Sequence, residues 1–125
     1  FKPANIHAGG LRYHGAGVII SQLIKDGMMH GVDIPQLESF EAGLLFSRTE
    51  GIVPAPESCH AIAATVREAN KCKETGEEKT ILFGLTGTGY FDLYAYEAFN
   101  NGTMTDTIPT DEQLQKSFAA LPNIG

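Results

Sequence analysis

The chain has 125 residues, 42% of them hydrophobic and 19% charged, with a formal net charge of −6. That mixture fits one globular domain with a modest core and excludes a disordered or low-complexity chain. The acidic balance argues against a nucleic-acid partner and against an anionic membrane surface, since both want clustered Lys and Arg.

No apolar run reaches the ~20 residues that a spanning helix needs, so no membrane partner is expected. With no signal-peptide pattern at the start, a cytoplasmic location is expected. The opening "FKPANIHAGG" carries no initiator Met and reads as the middle of a structure. A piece of a longer protein, spanning 1–125 as a single unit, is therefore expected.

In chain order, "HAGGLRYHG" is a loop dense in Gly, His, Arg and Tyr. Its residues His7, Gly10, Arg12, Tyr13 and His14 are more polar than most connectors. No carboxylate is spaced there as a third ligand, so no metal site is expected. "GVIISQLIKDG" then has helical periodicity and stops at Gly27, a natural left-handed cap. "MMHGVDIP" reads as a weak strand. "QLESFEAGLLFSRTEG" places Leu37, Phe40, Leu44 and Leu45 on one stripe and stops at Gly51.

"IVPAP" reads as a short strand with prolines that suit an end or an edge. "PESCHAIAATVREANKCKETGE" is the longest helix, with Cys59, Ile62, Val66 and Ala69 on its inner stripe. Cys59 and Cys72 fall in that one helix, roughly 20 Å apart along its axis, too far for a disulfide. "KTILFGLTG" is a nearly unbroken apolar run that fits a parallel strand buried on both faces. "YFDLYAYEAFNNG" is helical, with Phe91, Tyr94, Ala95, Ala98 and Phe99 at the right spacing. Residues 102–109 read as a linker to a short last helix, which opens with Thr110 and Gln113 in capping-box spacing. Strands alternating with helices predict an α/β fold: a small, mainly parallel sheet of about three strands flanked by helices.

Two stretches could carry chemistry. "LTGTG" at 85–89 has Gly87 and Gly89 in place for G-x-G-x-x-G, but the third position is Asp92. It also lacks the Lys of a P-loop, so phosphate binding is not supported. As the end of a parallel strand it could face a ligand; alternatively it is a strand-to-helix turn that needs glycine torsions, with Asp92 near the N-terminus of the next helix. Glu57 falls in the first turn of the longest helix. There it is either a favourable acid at a helix N-terminus or a carboxylate aimed into the same crevice as Thr86.

Three stretches in this order, "HAGGLRYHG", "FSRTEGIVPAPESCHA" and "ILFGLTGTGYFDL", resemble the C-terminal part of the tryptophan synthase β chain, and the "GLRYHG" form resembles its second-type group. The resemblance implies part of a three-layer α/β/α fold-type II enzyme that uses pyridoxal 5'-phosphate (PLP) to make L-tryptophan from L-serine and indole. It implies Thr86 where the family has a serine hydroxyl facing the cofactor's pyridine nitrogen. It implies Glu57 lining the cofactor pocket, with Gly87 and Gly89 letting the backbone approach the ring. It places Gly10, Arg12, Tyr13 and His14 in a loop that closes over substrate.

The family's Schiff-base Lys, its catalytic Glu and its phosphate loop lie further toward the N-terminus. No catalytic residue is therefore expected in this chain, nor activity or bound PLP in the chain alone. The expected partners are the remainder of the parent chain and other copies of it, with room for a tryptophan synthase α chain. Two alternatives stay open: a piece of another fold-type II enzyme, and a non-catalytic α/β binding or assembly module.

Overall fold

A computed structural model describes residues 3–13 and 15–122. Among these described residues, a 3-10 turn at Gly9–Arg12 is followed by five α-helices: α1 (Val18–Lys25), α2 (Gln36–Glu50), α3 (Pro56–Thr75), α4 (Leu93–Asn100) and α5 (Asp111–Ala119). The helix ends follow the glycine signals. Gly27, Gly51 and Gly76 all have φ near +71°, the left-handed torsion that closes a helix. The capping box at the start of α5 is formed in both directions between Thr110 and Gln113.

The expected sheet is absent from the described residues. Among the described residues there is no strand, only one antiparallel bridge between Pro54 and Thr88. The α/β fold with about three strands, and the partial three-layer sandwich, are therefore corrected to an all-helical arrangement. A strand is defined by its ladder, and a ladder needs a neighbour. Apolar, β-branched composition favours a pleated, half-buried surface but names no partner. Leu82, in the middle of "KTILFGLTG", is 95% exposed, far from burial on both faces. Pro54 and Pro56 lack the N–H a continuous ladder requires. In the first expected strand, "MMHGVDIP", Met28 and Met29 donate their N–H groups back to the Leu23 carbonyl at the end of α1.

The fold is organised on α2. It runs antiparallel to α3: Glu38 near its start pairs with Arg67 late in α3, while Gly43 lies against Cys59 near the start of α3. Gly43 allows this approach, since a Cβ there would sit 2.4 Å from Cys59 Sγ. One buried cluster joins Phe40 to Cys59, Ala95, Tyr96 and Met104. A second joins Ala42 to Ile62 and Ala63, with Phe46 and Phe83 packed edge-to-face beside it. The expected stripes hold in part. Leu37, Phe40 and Leu44 pack inward, but Leu45 is half exposed. On α4, Ala95, Ala98 and Phe99 pack inward and Tyr96 is buried with them, whereas Tyr94 faces out, and Phe91 lies before the helix begins and is exposed.

The segment after α4 is tied to the start of α2. The Leu37 N–H donates to Asp106 Oδ1 at 2.9 Å. The Gln36 amide accepts from the His7 N–H at 2.8 Å and donates to the Thr105 carbonyl at 2.9 Å. Helices α1 and α5 pack on no other helix among the described residues. No helix there is long and apolar enough to cross a membrane.

Candidate functional site

Stretches far apart in sequence meet at the N-terminal end of α3. Pro56 occupies the first helical position, where its fixed φ suits the helix and its missing N–H costs nothing. Glu57 follows, an acid in the first turn where the helix dipole favours negative charge. Its Oε1 accepts the Gly10 N–H at 2.9 Å, and so ties down the 3-10 turn of the glycine loop. The next residue, Ser58, is buried, and its Oγ accepts the Thr86 N–H at 3.0 Å. The same oxygen lies 3.2 Å from Thr86 Oγ1. Two adjacent residues of one helical turn therefore hold "HAGGLR" on one side and "LTGTG" on the other.

The "GTG" turn is seated on the connector between α2 and α3. The Ala55 N–H donates to the Gly87 carbonyl at 3.1 Å, and the Gly89 N–H donates to the Val53 carbonyl at 2.9 Å. Gly87 has φ +145°, a torsion that side chains rarely adopt. A Cβ on Gly89 would sit 2.3 Å from the Pro54 carbonyl oxygen. The space these glycines keep clear is thus filled by residues 53–55.

Beneath the turn, Tyr96 donates its hydroxyl hydrogen to the Pro54 carbonyl at 2.6 Å. Cys59 Sγ lies 3.2 Å from that hydroxyl. The one phenolic hydrogen is committed to Pro54, so the thiol donates to the Tyr96 oxygen. Burial pushes the Cys59 thiol up from its ordinary 9.0 and the Tyr96 phenol up from its ordinary 10.0, keeping both protonated.

Of the residues expected at the site, Gly10, Glu57, Thr86, Gly87 and Gly89 are brought together. Arg12 and Tyr13 end the 3-10 turn and are exposed, with no hydrogen bond to Glu57 or Thr86. His14 lies outside the described residues. The His7 ring packs edge-on to Tyr94, with centroids 5.4 Å apart. Sequence reasoning missed Ser58 and Tyr96. Ser58 shares a helical turn with Glu57, which is the signal that could have found it. Tyr96 completes an apolar face with Ala95 and Phe99 at i, i+1 and i+4.

The arrangement offers an exposed, neutral hydroxyl at Thr86, anchored from behind by a buried one. It also offers a carboxylate at Glu57 whose second oxygen takes no hydrogen bond from the described residues. Such a rim can pair with a polar heteroatom and a nearby hydrogen-bond donor on one ligand.

No family model matches the chain. A tryptophan synthase beta chain 2 from Aquifex aeolicus (strain VF5) is 58% identical over 106 residues, covering 85% of this chain and 24% of the relative. That of Methanosarcina acetivorans is 55% identical over 102 residues, covering 82% of this chain and 23% of the relative. That of Thermotoga maritima is 54% identical over 96 residues, covering 77% and 23%. The chain spans about a quarter of the length of the curated relatives it matches. At 47–58% identity over 77–85% of its length, the chain is related to the second-type tryptophan synthase β chain and fits the C-terminal part of that family.

Proposed function

We propose that this chain forms the C-terminal segment of a PLP-dependent enzyme that makes L-tryptophan from L-serine and indole, and that it lines the ring end of the cofactor site. The observation that supports this most is the meeting of Gly10, Glu57 and Thr86 at one end of α3. The residues present fit a heteroaromatic ring better than a phosphate. Thr86 offers a neutral hydroxyl, and residues 84–92 contain no Lys or Arg to balance a dianion.

PLP, when bound, withdraws electrons from the substrate's Cα and so lets the β-hydroxyl of L-serine be replaced. The chain's own residues supply position and polarity. Thr86 meets the ring nitrogen with a hydroxyl that does not force it to carry a proton. Glu57 lines the pocket while holding the Gly10 turn. Gly87 and Gly89 keep the Thr86 turn pressed against residues 53–55. Arg12, Tyr13 and His14 belong to the loop that closes over substrate, where the Arg12 guanidinium pairs with a carboxylate.

The Schiff-base Lys and the phosphate loop come from the remainder of the parent chain, which is the first partner. The isolated 125 residues therefore neither hold PLP nor make tryptophan. Copies of the chain associate, a tryptophan synthase α chain is a further partner, and the compartment is the cytoplasm.

The test uses the full-length protein that carries this segment. Thr86→Ser keeps the hydroxyl and leaves tryptophan formation within about threefold. Thr86→Asp favours a protonated ring nitrogen and lowers the turnover about tenfold or more. Equal turnover for Thr86→Asp and the parent would remove Thr86 from the ring.

A further inference from the structure

The backbone bonds from Ala55 to Gly87 and from Gly89 to Val53 fix where the "GTG" turn sits, but they do not reach the side chain of Thr86. Thr86 is exposed, and an exposed threonine exchanges among staggered χ1 wells unless something holds it. Among the described residues, Ser58 alone holds its hydroxyl. Ser58 is 1% exposed, so its own oxygen has no comparable freedom.

We propose that Ser58 is a positioning residue that fixes the Thr86 hydroxyl so that it can present either its hydrogen or a lone pair to the ring nitrogen of a heteroaromatic ligand. This rests on the reading of Thr86 given above. A serine hydroxyl has one hydrogen and two acceptor sites. One acceptor site of Ser58 Oγ is taken by the Thr86 N–H at 3.0 Å. The 3.2 Å contact between the two hydroxyls can then run either way. When Ser58 donates to Thr86, Thr86 keeps its hydrogen for the ligand. When Thr86 donates to Ser58, a Thr86 lone pair faces the ligand instead. Neither arrangement breaks another bond, because Ser58 Oγ has no further partner among the described residues. The pair can therefore serve an unprotonated or a protonated ring nitrogen with no movement of heavy atoms, the unprotonated one at lower cost, because the second arrangement leaves the buried Ser58 hydrogen without an acceptor among the described residues.

The experiment reads Thr86 by NMR in the PLP-free full-length protein that carries this segment, through the scalar couplings across its χ1 and the exchange rate of its amide. The parent chain should show one χ1 rotamer and a slowed amide. Ser58→Ala removes the hydroxyl, both as acceptor of the Thr86 N–H and as partner of the Thr86 hydroxyl, and Ala is a good helix former, so α3 remains. That variant should average the couplings and speed amide exchange about tenfold. Ser58→Thr restores the hydroxyl and should recover both. Parent values for both readouts in Ser58→Ala would overturn the proposal.

Should Ser58→Ala lose its helical far-UV signal, Thr86→Val decides instead. It keeps the Ser58 acceptor, so the amide of residue 86 should stay slow, and exchange at the unprotected rate would refute the contact. In the full-length PLP-loaded protein, Ser58→Ala should shift the pH profile of the cofactor's absorbance and Ser58→Thr should return it. An unchanged profile would refute the ligand-directed half. The couplings involve no PLP. A failed Thr86→Asp test would thus discredit the cofactor reading while leaving the contact standing, and the reverse holds as well.

Discussion

Gly89 shows how a single missing atom sets the site. Its absent Cβ would lie 2.3 Å from the Pro54 carbonyl oxygen, 2.9 Å from Val53 Cγ1 and 3.0 Å from Tyr96 Cε2. The first of these is backbone and cannot swing aside. Gly89→Ala must therefore push the "GTG" turn off the 53–55 connector and break the Gly89-to-Val53 bond. A loss of about 3 kcal/mol is expected, at the upper end of overpacking costs. Urea unfolding of parent and variant checks it, and a loss below about 1 kcal/mol would show that the turn is free to move. Gly10 differs: its nearest neighbour would be the Glu57 side chain at 3.4 Å, which can yield.

At the scale of elements, one α4 side chain ties that helix to the start of α3 and to the connector before it. Tyr96 does so through Cys59 and Pro54. Tyr96→Phe keeps the ring in the core but leaves the Pro54 carbonyl without its donor, at a cost of about 1–3 kcal/mol. The same pair predicts a pH response. Both groups have folded-state pKa values raised by burial above their ordinary 9.0 and 10.0. The folded chain then binds more protons than the unfolded one above those ordinary values, so stability is full below about pH 9 and falls as pH rises beyond it. Thermal melts from pH 7 to 11 should show that decline, and Tyr96→Phe should flatten it. A melting temperature that stays level to pH 11 in the parent would contradict the burial of these groups.

Helices were legible in the sequence because periodicity and glycine caps are local signals, as at Gly27, Gly51 and Gly76. The sheet was misread because "KTILFGLTG" carries strand composition, while the ladder that makes a strand depends on a neighbour that composition does not report. Glu57 and Thr86 were legible as chemical groups. Ser58, which joins them, was not, because a small hydroxyl residue in a helix gives no periodic or motif signal of its own.

For the whole molecule, the exposed apolar surface is the dominant fact. Leu82, Phe91, Val18 and Tyr13 are each at least 85% exposed, and α1 rests on no other helix among the described residues. Covering a few hundred Å² of such surface is favourable by several kcal/mol, at roughly 25 cal/mol per Å². The isolated chain is therefore expected to self-associate. Sedimentation equilibrium at micromolar concentration should give a mass above that of one 13.4 kDa chain, and a monomer with a cooperative melt would contradict this.

The relatives are about four times longer than the matched region, and the proposed function draws its activity from the remainder of such a chain. The most direct measurement replaces the matching segment of the Aquifex aeolicus relative with these 125 residues and follows tryptophan formation from L-serine and indole. A chain that supplies the ring end of the cofactor site predicts PLP retention and tryptophan formation in the chimera, with both lost when the segment is left out. A folded chimera that binds PLP but makes no tryptophan would contradict the proposed function.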